Sequence, residues 1–96
     1  MTNTVNFDDF CMVDAVAYNA LVKAGYDDTS HILAIDDPRD ILDIQHIGLI
    51  RVERLYRWLL DNGIEPVQWM TKWVQLRDNL RRTKPSTFLR YFREEG

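Results

Sequence analysis

The stretch DIQHIGLIRVERLYRWLLDNG, residues Asp43–Gly63, decides the fold of this 96-residue chain. Its pattern predicts a tight turn through Gly48 that leads into a long amphipathic helix, Leu49 to Asn62, which Gly63 ends. A glycine at the turn permits a positive φ, or a close approach of the backbone, without a Cβ penalty. We therefore expect this turn and helix to form the centre of the molecule.

The predicted helix is apolar over roughly 200° of its circumference, which is wider than the ~100° that a single core contact needs. We expect it to be covered from two sides. Its narrower polar face carries Glu53, Arg54 and Arg57, with Ile50 placed among the charges. Its apolar residues are Leu49, Val52, Leu55, Tyr56, Trp58, Leu59 and Leu60.

Length and composition favour one globular domain over residues 1–96. The chain is 46% hydrophobic and carries 11 aromatic residues, enough for a core. No apolar run approaches the ~18 residues of a membrane span. The N-terminal sequence MTNTVNFDD has no signal-peptide pattern, and a lone Cys11 suits a reducing cytosol, so we expect a cytoplasmic protein.

The net charge of −3 is unevenly spread. Residues 1–66 carry five basic and twelve acidic side chains, a net charge of −7, whereas residues 67–96 carry seven and three, a net charge of +4. An acidic body opposes capture of nucleic acid, because neutralised phosphates supply most of that affinity. The basic C-terminal part leaves local binding open.

The rest of the chain also has helical patterns and no strand pattern, so the predicted class is all-α with five or six helices. Asp8 or Asp9 can cap a first helix that runs to about Ala24, with Phe10, Val13, Val16, Ala17, Ala20, Leu21 and Ala24 on its apolar face. Two short helices should follow Asp27-Asp28 and Asp36-Asp37. A fifth should start at Glu65-Pro66 and run to about Arg82.

Residues 65–96 are expected to pack on the bundle of residues 7–64 as a helical extension. The fifth helix carries a narrow apolar stripe of Trp69, Trp73, Leu76 and Leu80. We expect this stripe and the wide apolar surface of the central helix to bury each other, at least in part. Lys84-Pro85-Ser86 should break the fifth helix. Tyr91 and Phe92, in a last turn, are predicted to face a partner.

Leu21–Ile64 resembles the C-terminal domain of the bacterial RNA polymerase alpha subunit. The likeness rests on Val22-Lys23-Ala24, Ile32-Leu33, Asp36-Asp37-Pro38, Asp40-Ile41-Leu42-Asp43-Ile44, Ile47-Gly48, the stripe Val52, Leu55 and Leu59, and Asp61-Asn62-Gly63-Ile64. The resemblance implies a compact bundle with a helix-hairpin-helix centre. It further implies that backbone amides after Gly48 face a DNA phosphate.

The chain departs from that family at the DNA-contacting positions. Leu49 and Ile50 stand where the family usually has lysines, and Ala17 and Ala20 stand where it has an arginine and an asparagine. Among the usual contributors, Gly48 and Arg51 remain. The resemblance therefore favours the fold more than it favours DNA binding.

The candidate binding site is the hairpin mouth, which comprises Gly48, Leu49, Ile50 and Arg51, together with Arg54 and Arg57. It would hold a protein partner or a phosphate. A second candidate is a basic surface of Arg77, Arg81, Arg82 and Lys84, although cations near a helix C-terminus are favoured by the dipole anyway. Trp58, Trp69 and Trp73 are at core spacing, which favours packing over base stacking.

Neither catalysis nor metal binding has a motif. His31, His46 and Cys11 are isolated, and the acidic pairs Asp8-Asp9, Asp27-Asp28 and Asp36-Asp37 lack the spacing of a calcium loop. Each pair precedes a predicted helix, which favours helix capping. We therefore expect no enzyme activity, no cofactor and no metal.

Three functions remain open. The first is a non-enzymatic regulatory or adaptor protein that binds a protein partner of the transcription or another nucleic-acid machinery, which would suit a virus- or mobile-element-encoded modulator. The second is a DNA-binding helix-hairpin-helix module. The third is an acidic inhibitor that mimics nucleic acid, for which the aspartate pairs would supply the charge.

Overall fold

Residues 5–92 form six α-helices preceded by a 3-10 helix. The computed structural model describes the backbone of residues 5–92 and the side chains of residues 5–90. No strand lies within that part of the chain, so the all-α prediction is confirmed. The elements are the 3-10 helix Phe7–Met12, α1 Ala15–Lys23, α2 Thr29–Leu33, α3 Pro38–Leu42, α4 Leu49–Asp61, α5 Gln68–Thr83 and α6 Pro85–Phe92.

Aspartate side chains begin the two short helices, as the sequence predicts. Asp28 accepts a hydrogen bond from the Ser30 N–H at 3.3 Å, and Asp37 accepts one from the Arg39 N–H at 2.9 Å. The expectation was wrong for Asp8-Asp9, because Asn6 caps the 3-10 helix and the hydroxyl of Tyr18 donates to Asp8 at 2.6 Å. Capping carboxylates satisfy amides that have no partner inside the helix.

The first predicted helix is divided in two at Asp14. The backbone of Asp14 is extended, with φ −154° and ψ 93°, and its side chain accepts a hydrogen bond from the Ala17 N–H. The Asp14 carboxylate therefore caps the start of a separate helix, α1, directly after the 3-10 helix. The predicted apolar face is wrong at Val13, Val16 and Ala24, which are exposed.

The core contains buried residues from α4, α5 and each of the shorter helices that precede them. The predicted α4 stripe is buried, and so are the first apolar residues of α5. The indole of Trp69 donates to the carbonyl of Ile32 at 2.9 Å and fixes the start of α5 against α2. The buried apolar residues of the two helices are Val52, Leu55, Trp58, Leu59, Trp69, Met70 and Trp73.

One polar residue was placed wrongly by the sequence pattern. Glu53 lies on the face of α4 that the periodicity predicts to be solvated, yet its side chain is 1% exposed. The reason is that α5 packs over that face and supplies the indole of Trp73, which donates to Glu53 at 2.8 Å. The arc of α4 that α5 covers is therefore wider than its apolar residues indicate.

The boundaries of the C-terminal helices follow the proline and glycine signals. Gly63 has φ 81° and ends α4, and α5 stops at Thr83, directly before the Lys84-Pro85 break. The predicted start of α5 at Glu65-Pro66 is too early, since the helix begins at Gln68 after Val67 in an extended conformation. Tyr91 and Phe92 belong to α6, but their side chains lie outside the described part of the structure.

Candidate functional site

The hairpin mouth is built differently from the expectation for its glycine. Gly48 has φ −114° and ψ −169°, which any residue can adopt, and the positive φ of the turn, 76°, belongs to His46. A Cβ at Gly48 would meet nothing within 4 Å. The first turn of α4 has no side-chain cap, so its amides are not held by a neighbouring side chain.

The two apolar residues of the mouth are half-buried. Leu49 packs against the core, and Ile50, which the sequence places among charges, is also partly covered. Neither Leu49 nor Ile50 therefore projects fully into solvent. The predicted helix start at Leu49 is confirmed, but Ile50 is more covered than its place among charged residues indicates.

Arg51 and Arg54 both bind one buried carboxylate. Arg51 Nη1 lies 2.6 Å from Asp14 Oδ1, and Arg54 Nη1 lies 3.0 Å from Asp14 Oδ2. The Asp14 side chain is only 3% exposed. We call these three residues the Asp14 triad, and it joins the start of α4 to the start of α1.

The Asp14 triad holds its carboxyl in the charged form. Burial opposes ionisation, but the Ala17 N–H and the guanidinium groups of Arg54 and Arg51 outweigh it, so the pKa of Asp14 is lowered. Two cations that sequence analysis assigned to an external phosphate thus stabilise an internal anion. An external phosphate would have to share them with Asp14.

Arg57 and Arg77 are likewise engaged, on Glu53. Arg57 Nε lies 2.7 Å and Arg77 Nη1 lies 2.9 Å from Glu53 Oε2, and Arg77 also sits over the ring of Tyr56 at 5.5 Å. With the indole of Trp73, these residues form what we call the Glu53 network. No buried polar side-chain atom in the described residues lacks a partner.

The remaining candidates lie at the far end of α5. Arg81 pairs with Asp78 at 3.1 Å and covers the ring of Phe88 at 5.6 Å. Arg82 and Lys84 are exposed and form no ion pair within residues 5–90. The candidates predicted from sequence are therefore not one surface: they divide among the hairpin mouth, the Asp14 triad, the Glu53 network and this end.

The sequence missed an exposed apolar corner beside the Asp14 triad. Met12 is 89% exposed, and Val13 and Val16 are each about half exposed. We call Met12, Val13 and Val16 the apolar corner; its residues flank Asp14 in the chain. The residue that could have indicated this corner is Asp14. As the N-cap of α1 it places Met12 and Val13 before that helix.

A shallow cleft opens on the other side of the molecule, where α1 ends and α2 and α3 follow. Its volume is about 370 Å³. His31 at its rim pairs with Asp27 at 3.0 Å. The residues that line it are Gly25, Tyr26, His31, Ala34, Ile35, Asp36 and Asp40.

The part of the chain that the structure describes has no group of candidate metal ligands. Within it, no three side chains of His, Cys, Asp or Glu come together as metal ligands would. None of its helices has both the length and the apolar character needed to cross a bilayer.

Comparison with protein-family models, curated proteins and solved structures finds no match to this chain. The resemblance to the polymerase alpha domain stays a prediction from sequence.

Proposed function

We propose that this protein is a non-enzymatic regulatory or adaptor protein that binds a protein partner through the apolar corner and the adjoining Asp14 triad. The observation that carries the proposal is the exposure of Met12, Val13 and Val16 next to two arginines that share one carboxylate. An apolar centre with a polar rim is typical of protein-docking surfaces, and arginine is enriched in them.

The mechanism is occupation or bridging, without bond chemistry. Met12 would insert into a pocket of the partner, because a flexible thioether side chain adapts well to an apolar surface. Arg51 and Arg54 would donate at the rim while they remain bound to Asp14. The resemblance to the polymerase domain is what favours a partner from the transcription machinery.

The test uses the immobilised protein and extract of its native host. We expect one partner to be captured by the wild type and lost with Met12→Glu/Val16→Glu, since charges in the centre of an interface are strongly disfavoured. Leu89→Glu is the matched control, because Leu89 is 54% exposed on α6, away from the corner. Equal recovery by the corner variant and the wild type would refute the proposal.

A second candidate function is binding of duplex DNA at the hairpin mouth. The uncapped first turn of α4 favours it, since free amides at a helix N-terminus attract phosphate. The engagement of Arg51 with Asp14 at 2.6 Å weakens it. Fluorescence anisotropy of a labelled duplex decides: affinity that falls steeply with salt and is lost in Arg51→Gln supports DNA binding.

A further inference from the structure

The C-terminal end of α5, Lys84 after it and α6 carry exposed cations, most of which form no ion pair within residues 5–90. We call Arg81, Arg82, Lys84 and Arg90 the basic end. Arg82, Lys84 and Arg90 are exposed and have no ion pair among the described residues. Arg81 is the member of this group that has a described ion pair, with Asp78 on the same helix.

The opposite charge collects around the cleft between the end of α1 and α3. Between residues 27 and 43 the chain has six aspartates and a single arginine, Arg39. Asp36, Asp40 and Asp43 are exposed and accept no side-chain hydrogen bond or ion pair in the described structure. The cleft has the phenol ring of Tyr26 and the apolar side chain of Ile35 in its lining, with Asp36 and Asp40.

The two charged regions form no ion pair with each other in the described residues, and the basic end lies well along α5 from the contact of that helix with α2. Trp69, near the start of α5, is bonded to the carbonyl of Ile32 in α2, whereas Arg82 comes thirteen residues later on the same helix. At 1.5 Å per residue this is about 20 Å along the axis. The Debye length at physiological salt is about 8 Å, so the electrostatic interaction of exposed charges that far apart is largely screened.

We propose that the basic end of one molecule docks into the cleft of a second copy. An arginine or lysine side chain that enters the cleft meets carboxylates for charge-assisted hydrogen bonds and an aromatic ring for a cation–π contact. We favour a second copy over nucleic acid because each copy carries the complementary acidic cleft. The acidic body of residues 1–66, with a net charge of −7, would repel a polyanion more strongly than it repels a copy whose net charge is only −3. This inference does not depend on the proposed function.

The contact joins different surfaces of the two copies, head to tail. Such a contact leaves a free basic end on one molecule and a free cleft on the other, so it repeats until it closes into a ring or continues as a chain. Because it depends on exposed charges, it should be weak and sensitive to salt.

Sedimentation velocity of the full chain tests the contact. In about 10 mM salt, where the Debye length is about 30 Å, the average mass should rise with protein concentration. In about 1 M salt it should return to that of the monomer. A wild type that stays monomeric in low salt at the highest concentrations overturns the proposal, and salt-independent association does the same.

Neutralising variants locate the contact. Asp36→Asn/Asp40→Asn keeps a normal basic end, and Arg82→Gln/Lys84→Gln keeps a normal cleft. Each should be monomeric alone in low salt, but an equimolar mixture should form a dimer and nothing larger, because only one pair of matching surfaces remains. All four side chains lie at the surface without ion pairs in the described residues, so the variants should fold.

Controls separate this contact from the other surfaces. Asp61→Asn/Glu65→Gln removes two charges elsewhere and should associate like the wild type. Met12→Glu should also associate normally, which distinguishes this contact from the apolar corner. If the mixture of single-end variants stays monomeric while the wild type associates, or if the basic end binds a DNA duplex in preference to a second copy, the proposal is overturned.

Discussion

Glu53 is a fully buried carboxylate whose partners come from two helices. It accepts from the indole of Trp73 and pairs with Arg57 and Arg77. Glu53→Gln keeps an acceptor for the indole but removes the charge that both arginines face. We expect the free energy of unfolding to fall by about 2 kcal/mol, the usual cost of losing hydrogen bonds to a charged group.

Urea titration followed by circular dichroism measures this effect. Glu65→Gln is the matched control, since Glu65 is exposed and should change stability by less than about 0.5 kcal/mol. An unchanged unfolding midpoint in Glu53→Gln would show that the network contributes nothing to stability.

Asp14 should make the protein sensitive to acid. Its folded-state pKa lies below the ordinary value of 3.8, so the stabilisation is fully present above that value. This stabilisation is lost as the pH falls from 3.8 through the lowered pKa, because Asp14 is protonated in the unfolded chain at a higher pH than in the folded protein. Asp14→Asn can still cap α1 but cannot pair with Arg51 and Arg54 as an anion.

The measurement is the unfolding free energy of both proteins between neutral pH and about pH 3. We expect a constant advantage of the wild type at neutral pH that shrinks as the pH falls below 3.8. An advantage that persists unchanged at the lowest pH would contradict the role assigned to the Asp14 carboxylate.

At the scale of the element, the caps of the short helices matter because α3 has only five residues. Asp37→Ala should lower the unfolding free energy by about 1 kcal/mol, since the Arg39 N–H loses its acceptor. Asp40→Asn, an exposed change in the same helix, should be nearly neutral. Thermal unfolding of the two variants compares them, and equal midpoints would contradict the capping role.

This difference also bears on the nucleic-acid-mimic hypothesis. Asp28 and Asp37 cap helices, so changing the aspartate pairs together would weaken folding as well as charge. Neutralising Asp36, Asp40 and Asp43 instead removes charge without removing a cap. A mimic would lose its partner with that variant.

The predictable elements were those with local signals. The start of α3 at Asp37-Pro38, the stop of α4 at Gly63 and the break at Pro85 are each set by backbone chemistry of one or two residues. The burial of Glu53 was not predictable, because two of its three donors among the described residues, Trp73 and Arg77, lie on α5, twenty or more residues away. The apolar corner was missed since Asp8, Asp9 and Asp14 compete as capping residues.

At the scale of the whole molecule, α5 is part of the core. Trp69, Met70 and Trp73 are each 0% exposed. Removing one large core side chain costs about 3–5 kcal/mol, while a domain has about 5–15 kcal/mol in total. A chain that ends at Ile64 should therefore not fold cooperatively.

A chain that ends at Lys84 provides the comparison. It lacks α6, whose described side chains are exposed or half-buried, and it should keep a single cooperative transition. Circular dichroism during urea unfolding distinguishes the two truncations. A sharp transition in the fragment 1–64 would show that the bundle is independent of α5.

All three tryptophans of the chain are in the core: Trp58 is 8% exposed, and Trp69 and Trp73 are 0% exposed. Their indoles contact different neighbours, the Phe7–Phe10 rings for Trp58, the Ile32 carbonyl for Trp69 and Glu53 for Trp73. The folded protein should therefore emit at short wavelength when excited in the ultraviolet, and emission should shift to the red as water reaches the rings. Single Trp→Phe replacements would assign the fluorescence change to each tryptophan. The order in which the three sets of contacts are lost during unfolding could then be followed without an attached dye.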